Sequence, residues 1–255
     1  MSFTETIRRK MGICRLCNED KDLLKKSHIY PNFVYTDLFD EHNRLRKFTA
    51  NEMLKKNPRI SRPPSGVYEG GLLCNDCDNR KISQLESYVA KLINGGNKDI
   101  NCKTSTLPDG LKVNEVDSLD YKKLRNFIFS LLFRADISSF DEFIDVSLGP
   151  YNEKIKNVIL GNDDVNDSEI QINLFQLSED SNFNTLIGQP VRSRINAHTI
   201  YSLLMKGYLI VVSLRQNQLS NTTKELRLKS GGTIGIPIIP KRVEEKFIMQ
   251  YFGVI

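Results

Sequence analysis

Four cysteines and one histidine in the first third of the chain are of the types that bind metals or move protons. The cysteines form two C-x-x-C pairs, "CRLC" (Cys14 and Cys17) and "CNDC" (Cys74 and Cys77). Each pair makes a tight turn that directs two sulfurs at one ion, and four thiolates complete the tetrahedral shell of zinc. Such a site has no open position for water or substrate, so we expect a structural zinc. Redox chemistry of a C-x-x-C pair is the alternative.

His28 lies between the two cysteine pairs, in the stretch "SHIYPNF". A histidine at this place can be a zinc ligand, a packed aromatic ring or a general base. If the four sulfurs satisfy the zinc, the imidazole is not needed as a ligand and is free for another task.

The elements that must position these residues are indicated by the apolar pattern. Because 56 residues separate Cys17 from Cys74, a shared zinc joins segments that are distant in sequence. Apolar residues at helical spacing predict a helix in "ISQLESYVAKLI", directly after the second pair, and another in "DYKKLRNFIFSLLFRADI". The β-branched stretches "IQINLFQL", "YLIVVSL" and "TIGIPII" predict strands, and "VEEKFIMQYF" predicts a closing helix.

These patterns predict an α+β protein in three parts. We expect a zinc-containing domain at 1–100, a helical segment at 101–165 and a β-rich domain at 166–255. A chain of 255 residues with 40% apolar content can bury a core of its own. The N-terminus has charges where a signal peptide needs an apolar centre, and no stretch approaches the roughly 18 apolar residues that span a bilayer. We therefore expect a cytoplasmic protein that does not enter a membrane.

The net charge of +5 is concentrated around the cysteines. Residues 1–82 contain 16 Lys and Arg against 11 Asp and Glu, whereas residues 83–255 contain 20 of each. A basic surface of this kind suits the phosphates of DNA, although a solvated loop is the alternative. The residues proposed to contact nucleic acid are Arg44, Arg46, Lys47, Lys55, Lys56, Arg80 and Lys81.

The combination of "CRLC", "SHIYP" and "LLCNDCDNRK" resembles the zinc-stapled members of the HNH, or ββα-metal, endonuclease superfamily. It is most similar to a group of bacterial HNH-like proteins with this layout, for which defence against phage is the implied setting. The resemblance covers roughly residues 11–135, including the helical stretch "LRNFIFSLLFRADIS". It implies an N-terminal ββα-metal unit that cleaves phosphodiester bonds in DNA.

The resemblance also implies roles for single residues. His28 corresponds to the general base, a role that suits an imidazole whose unperturbed pKa is near 6.5. Asp78 corresponds to a ligand of one catalytic divalent cation, Mg²⁺ or Mn²⁺. Asp76 and Glu69 are further candidate ligands. At about 1.5 Å rise and about 100° per residue, Glu86 lies about 12 Å along the helix and about 80° round from Asp78, so we expect it not to share that ion.

Two positions depart from the pattern of the superfamily. Ser27 stands where an acid or a second histidine is usual, and "YEGGLLC" has no asparagine to support the base, which leaves Asn79 or Asn43 as substitutes. These departures keep two other functions open. The chain can be a non-catalytic zinc module that binds nucleic acid, or a zinc-stapled subunit whose β-rich C-terminal half binds a protein partner or ligand.

Overall fold

The computed structural model describes residues 10–49, 52, 55–195, 198–214 and 224–251. The N-terminal part contains two small antiparallel strand pairs. Strand β1 (Lys10–Ile13) pairs with β2 (Asp20–Leu23), and β3 (Ser27–His28) pairs with β4 (Tyr68–Glu69). Two backbone segments lie close together beside β4, where a Cβ on Gly70 would lie 2.4 Å from the Lys25 carbonyl oxygen. This position therefore requires glycine.

A continuous helix follows the second cysteine pair, as the sequence predicts. It begins as a π-helix (Asp76–Ile82) and continues as helix α1 (Ser83–Ile93). The amide of Ser83 is bonded to the Asp78 carbonyl, five residues back, which is the π-helical pattern. The sequence indicated a helix here but did not indicate its π-helical start.

Helix α2 (Tyr121–Asp136) lies at the centre of the molecule. The Asp120 side chain caps it by accepting a hydrogen bond from the Lys123 amide at 3.0 Å. Its apolar face contacts α1 on one side and helix α3 (Tyr151–Leu160) on the other. The residues that the spacing places on this face are buried, namely Leu124, Phe127, Ile128, Leu131 and Leu132. The predicted helix and its core stripe are thus confirmed.

A polar hairpin occupies the start of the region that was predicted as helical. Strands β5 (Asn101–Thr106) and β6 (Lys112–Asp117) are antiparallel. The expectation of helix was wrong for residues 101–117. The "LPDG" stretch is a turn signal, and the two strands pair across it although their sequences lack an apolar strand pattern. The boundaries of the three predicted domains stay a prediction.

The C-terminal part forms an antiparallel sheet in the order β7-β10-β9-β8. Its strands are β7 (Gln171–Gln176), β8 (Gly188–Ile195), β9 (His198–Met205) and β10 (Tyr208–Ser213). Strand β11 (Ile234–Pro237) joins β6 in the other sheet, and helix α4 (Lys241–Tyr251) closes the described chain. Strands β7, β10 and β11 and helix α4 are confirmed, whereas β8 and β9 were not predicted.

One buried core connects these parts. It runs from the cysteines through α2 to one face of the C-terminal sheet, where Tyr201 and Leu203 lie, while Leu204 on the opposite face packs under α4. The Tyr30 hydroxyl adds a buried hydrogen bond of 2.8 Å to the Gly188 carbonyl of β8. The cysteine-containing part is therefore packed against the sheet. None of the helices that the structure describes is both long and apolar enough to cross a lipid bilayer.

Candidate metal centre and active site

The four predicted cysteines come together in one cluster. The sulfurs of Cys14, Cys17, Cys74 and Cys77 all lie within 4.8 Å of one another, and the Cys17 and Cys74 sulfurs are 4.0 Å apart. Zinc–sulfur bonds of about 2.3 Å in a tetrahedron separate the sulfurs by about 3.8 Å. The cluster therefore has the ligand type, number and spacing that suit a structural zinc ion.

Backbone hydrogen bonds shape each cysteine pair. In the turn between β1 and β2, the Cys14 amide donates to the Glu19 carbonyl at 3.0 Å and the Asn18 amide to the Cys14 carbonyl at 2.8 Å. Asn18 has a φ of 59°, a left-handed conformation that asparagine tolerates. The amide of Cys74 then donates to the Cys14 sulfur at 3.3 Å. The two pairs are thus already in contact through the protein itself.

Without a cation, the four thiols do not ionise together. A hydrogen bond from the Cys77 thiol lowers the pKa of Cys14 to about 4, and the same bond raises the pKa of Cys77 far above its ordinary value. Burial raises the pKa of Cys17. Neighbouring thiolates repel one another, so four ionised sulfurs in this space need a positive ion. All four sulfurs would therefore be ionised together only with a metal ion bound to them.

His28 lies on β3, opposite Tyr68 of β4. The two rings meet edge to face, with centroids 5.8 Å apart and an interplanar angle of 65°. Burial lowers the pKa of His28, and the charges of Arg134 and Lys26 lower it further, whereas the Asp78 carboxylate opposes the shift. The half-buried imidazole is therefore neutral at neutral pH, which is the protonation state that a general base requires.

Asp78 faces the same space from the π-helix, one residue after the last cysteine. Burial raises the pKa of its carboxyl, and the Arg134 guanidinium, the Ser27 hydroxyl and His28 each stabilise the carboxylate. The Ser27 hydroxyl is buried and has no well-aligned hydrogen-bond partner among the described residues, so it acts on Asp78 by proximity. The charges of the predicted base and the predicted metal ligand therefore affect each other's pKa.

Glu86 belongs to this site as well. Burial and the Asp78 carboxylate raise the pKa of Glu86, while Arg134 lowers it. The expected separation between Asp78 and Glu86 assumed α-helical geometry, but the π-helix places an extra residue in its turn and so reduces the rotation per residue. The assumed geometry was wrong for this segment, and the two carboxylates influence each other.

Arg134 is the residue of this site that the sequence reasoning missed. Its guanidinium Nη1 lies 2.6 Å from the His28 carbonyl oxygen and 2.8 Å from Glu86 Oε1. The sequence did hold one signal, because Arg134 falls three residues after Leu131 and seven after Phe127, on the apolar stripe of α2. A charged residue on a buried stripe requires a partner.

The other suggested residues are engaged elsewhere or lie apart. Glu69 accepts hydrogen bonds from Ser138 Oγ and Ser139 Oγ, both at 2.7 Å. These bonds outweigh burial and lower the pKa of Glu69. Asp76 forms exposed ion pairs with Lys21 and Arg80. The suggested asparagine substitutes are exposed, with Asn79 bonded to Asn75 and Asn43 in the turn after Asp40.

The predicted basic stretch forms an exposed loop between residues 40 and 63. Its two arms are held together where the Lys47 and Ser61 amides and carbonyls exchange hydrogen bonds of 2.9 Å, and where the Leu45 amide donates to Pro63. We call residues 40–63 the basic loop; residues 50, 51, 53 and 54 lie outside the described residues. The loop projects its cations into solvent.

Only part of the predicted cationic set is without a partner. Lys47 pairs with Glu142, Lys55 with Glu52, and Arg62 with Asp40. Outside the loop, Arg80 pairs with Asp76, and Lys81 donates to the Leu160 carbonyl at 3.2 Å. Of the seven predicted cations, Arg44, Arg46 and Lys56 have side chains with neither a carboxylate nor a carbonyl partner among the described residues, and all three are exposed. These three are the best placed to meet phosphates.

Comparison of the chain with protein-family models, curated proteins and solved structures found no match.

Proposed function

We propose that this chain is a metal-dependent endonuclease of the HNH type that cleaves phosphodiester bonds in DNA. The observation that supports the proposal most is the coupling of His28 to Asp78 beside the cysteine cluster. His28 is on the first strand of an antiparallel pair, and Asp78 is in the first turn of the helix that follows that pair. Two strands and a helix in this order are what a ββα-metal unit would provide.

In this mechanism the neutral His28 imidazole accepts the proton of the attacking water. Asp78 would hold one divalent cation, Mg²⁺ or Mn²⁺, which would supply stabilisation of the charge on the scissile phosphate and the departing oxygen. Arg134 opposes the effect of burial on Asp78 and so favours the carboxylate that binds a cation. The cysteine cluster has no open ligand position and would hold the turn between β1 and β2 against the start of the helix.

Ser27 favours a second candidate function, that of a zinc module that binds nucleic acid without cutting it. A neutral hydroxyl is a weaker ligand for Mg²⁺ than the acid or histidine that is usual before the base. Ser27 is also buried, with 1% of its surface exposed. A binding module needs the cysteine cluster and the basic loop, but it does not need Asp78.

Plasmid cleavage with and without added magnesium separates these two functions. We expect the zinc-loaded protein to nick DNA only when Mg²⁺ or Mn²⁺ is added. Asp78→Asn should raise the magnesium concentration needed by at least about tenfold, because a weakened ligand set binds the ion less tightly. The matched control is Asp76→Asn, which changes an exposed carboxylate two residues away and should leave the magnesium dependence unchanged.

Binding without cleavage under every divalent-ion condition would favour the non-catalytic module. Equal effects of Asp78→Asn and Asp76→Asn would contradict the assignment of Asp78 as the cation ligand. Partial recovery of Asp78→Asn at high manganese would support it, because a weakened cation site can be refilled by mass action.

The basic loop gives a further prediction, on the salt dependence of DNA binding. If Arg44 and Arg46 each neutralise a phosphate, Arg44→Ala and Arg46→Ala should each reduce the slope of log K against log salt by about 0.9. The control Arg62→Ala lies on the same loop but is paired with Asp40 at 2.9 Å, so it should change the slope little. Fluorescence anisotropy of a labelled duplex at several salt concentrations measures all three. An affinity that does not change with salt would indicate that the loop is a solvated surface that does not contact phosphates.

A further inference from the structure

The guanidinium of Arg134 is buried at the junction of three elements. The residue is 1% exposed, on α2. Its Nε donates to the Ser130 carbonyl of its own helix at 3.2 Å, and its Nη1 lies against both the His28 carbonyl oxygen of β3 and the Glu86 carboxylate of α1. Burial of an unpaired charge is strongly unfavourable, so these contacts are what keep the charge in the interior.

The two partners of Nη1 are parts of the proposed active site that do not otherwise belong together. The first is the backbone of the residue that carries the imidazole. The second is a side chain on the helix that carries Asp78, two turns further along. A single rigid group that touches both limits how far β3 can move relative to that helix.

We propose that Arg134 is a positioning residue, which holds the backbone of His28 and the carboxylate of Glu86 at a fixed spacing and thereby orients the His28 imidazole towards Asp78. The proposal rests on the proposed function for its catalytic consequence, since orientation affects a rate only if His28 and Asp78 act on one substrate. The fixed spacing between the His28 backbone and the Glu86 carboxylate does not depend on the proposed function.

Two features of Arg134 suit this role. A planar guanidinium holds its donors in a fixed fork, so Nη1 can donate to the His28 carbonyl while it lies 2.8 Å from the Glu86 carboxylate as an ion pair, which a flexible ammonium does less well. Nη2 is buried without a hydrogen-bond partner among the described residues, so Nη1 carries both contacts to other elements.

Arg125 is a matched control on the same helix. It is 2% exposed and its Nη1 pairs with Asp164 at 2.6 Å and donates to the Val165 carbonyl. It therefore has the same chemistry and the same burial as Arg134, with its partners in the loop after α3 rather than on β3 or α1. Arg125→Met and Arg134→Met should lower the unfolding temperature to a similar extent.

The first readout is the position of the His28 ring, observed by NMR of the zinc-loaded protein without magnesium. The Cε1 proton of His28 should carry a ring-current shift from Tyr68, whose ring is 5.8 Å away. His28→Ala assigns the resonance. We expect Arg134→Met to move it towards the random-coil value and Arg125→Met to leave it in place. An unmoved resonance in folded Arg134→Met, or an equal movement in both variants, overturns the proposal.

The second readout is catalysis at saturating magnesium. Arg134→Met should lower kcat at least about tenfold while KM for DNA changes less than about twofold, because a misplaced base slows the reaction without weakening the duplex contacts. Arg134→Lys should recover part of kcat, and Arg125→Met should retain it. If wild-type protein does not cleave DNA but the His28 resonance still moves in Arg134→Met, the proposed function fails and the positioning role stands.

Glu86→Gln tests the positioning role of Arg134 if the Arg134→Met protein does not fold. This change keeps the shape of the side chain but weakens its pairing with Nη1, so the His28 resonance should move in the same direction by a smaller amount. A Glu86→Gln protein whose His28 resonance coincides with that of the wild type contradicts the proposal.

Discussion

Cys74→Ser should abolish zinc binding and unfold the N-terminal third of the protein. The wild type, purified under reducing conditions, should contain about one zinc ion per chain, because four sulfurs within 4.8 Å of one another match a closed structural site. Structural zinc contributes about 10–16 kcal/mol in small zinc domains, which equals or exceeds the total stability of about 5–15 kcal/mol of an ordinary domain. Metal analysis and circular dichroism, before and after chelation, measure the effect.

Cys102→Ser is the control for this prediction. Cys102 is the fifth cysteine of the chain and is exposed on β5, away from the cluster. Its substitution should change neither the zinc content nor the thermal unfolding curve. Freshly reduced wild-type protein that contains no zinc, or Cys74→Ser protein with an unchanged fold, would contradict the structural role of the cluster.

His28→Ala should lower the rate of DNA cleavage by about 10² to 10⁴, the usual cost of removing a general base. Zinc content and DNA affinity should stay close to those of the wild type, because the imidazole is not among the four side chains of the cysteine cluster and packs against Tyr68. Addition of manganese should not restore the activity, since the defect is in proton transfer and not in cation binding. A single-turnover cleavage assay with titrated manganese makes this measurement.

His42→Ala provides the matched substitution. The His42 side chain is 74% exposed in the basic loop, and its Nε2 lies 3.7 Å from the neighbouring Glu41 Oε1. It should cleave DNA at the wild-type rate. Ser27→Asp offers the opposite change, since an acid beside the base should tighten the binding of Mg²⁺ if Asp78 is a ligand. A His28→Ala protein that loses its zinc or precipitates would identify the imidazole as a ligand or core residue instead.

The parts of the fold that follow from local pattern were predictable from the sequence. The stripe of α2, the helix after Cys77 and the strands β7, β10 and β11 each have a clear period, and the structure contains all of them. The approach of the two cysteine pairs was also predictable, because their residue types admit few other arrangements. By contrast, β5, β6 and β8 have mixed polar sequences in which the apolar alternation is weak, and the apolar residues of β9 do not alternate.

The arrangement of the candidate site was only partly predictable, for physical reasons. A π-helix differs from an α-helix by one residue in a turn, and the spacing of apolar residues in "CDNRKI" does not distinguish the two helix types. The contact between Arg134 and the His28 carbonyl joins residues 106 positions apart and involves a backbone atom, so the identity of residue 28 carries no information about it. Such a contact is visible only once the elements are packed.

The separation of the two cysteine pairs has a consequence for the order of folding. Closing a loop of 57 residues costs about 1 kcal/mol more than closing the 15–20-residue loop of a compact zinc ribbon, which is small beside the metal-binding energy. Local pieces such as the β1–β2 hairpin and α1 can form early, but His28 meets Asp78 only after the distant segments have met. We therefore expect the newly made chain to acquire its candidate catalytic site only after the ring through Cys14 and Cys77 has closed, a step that zinc binding would favour.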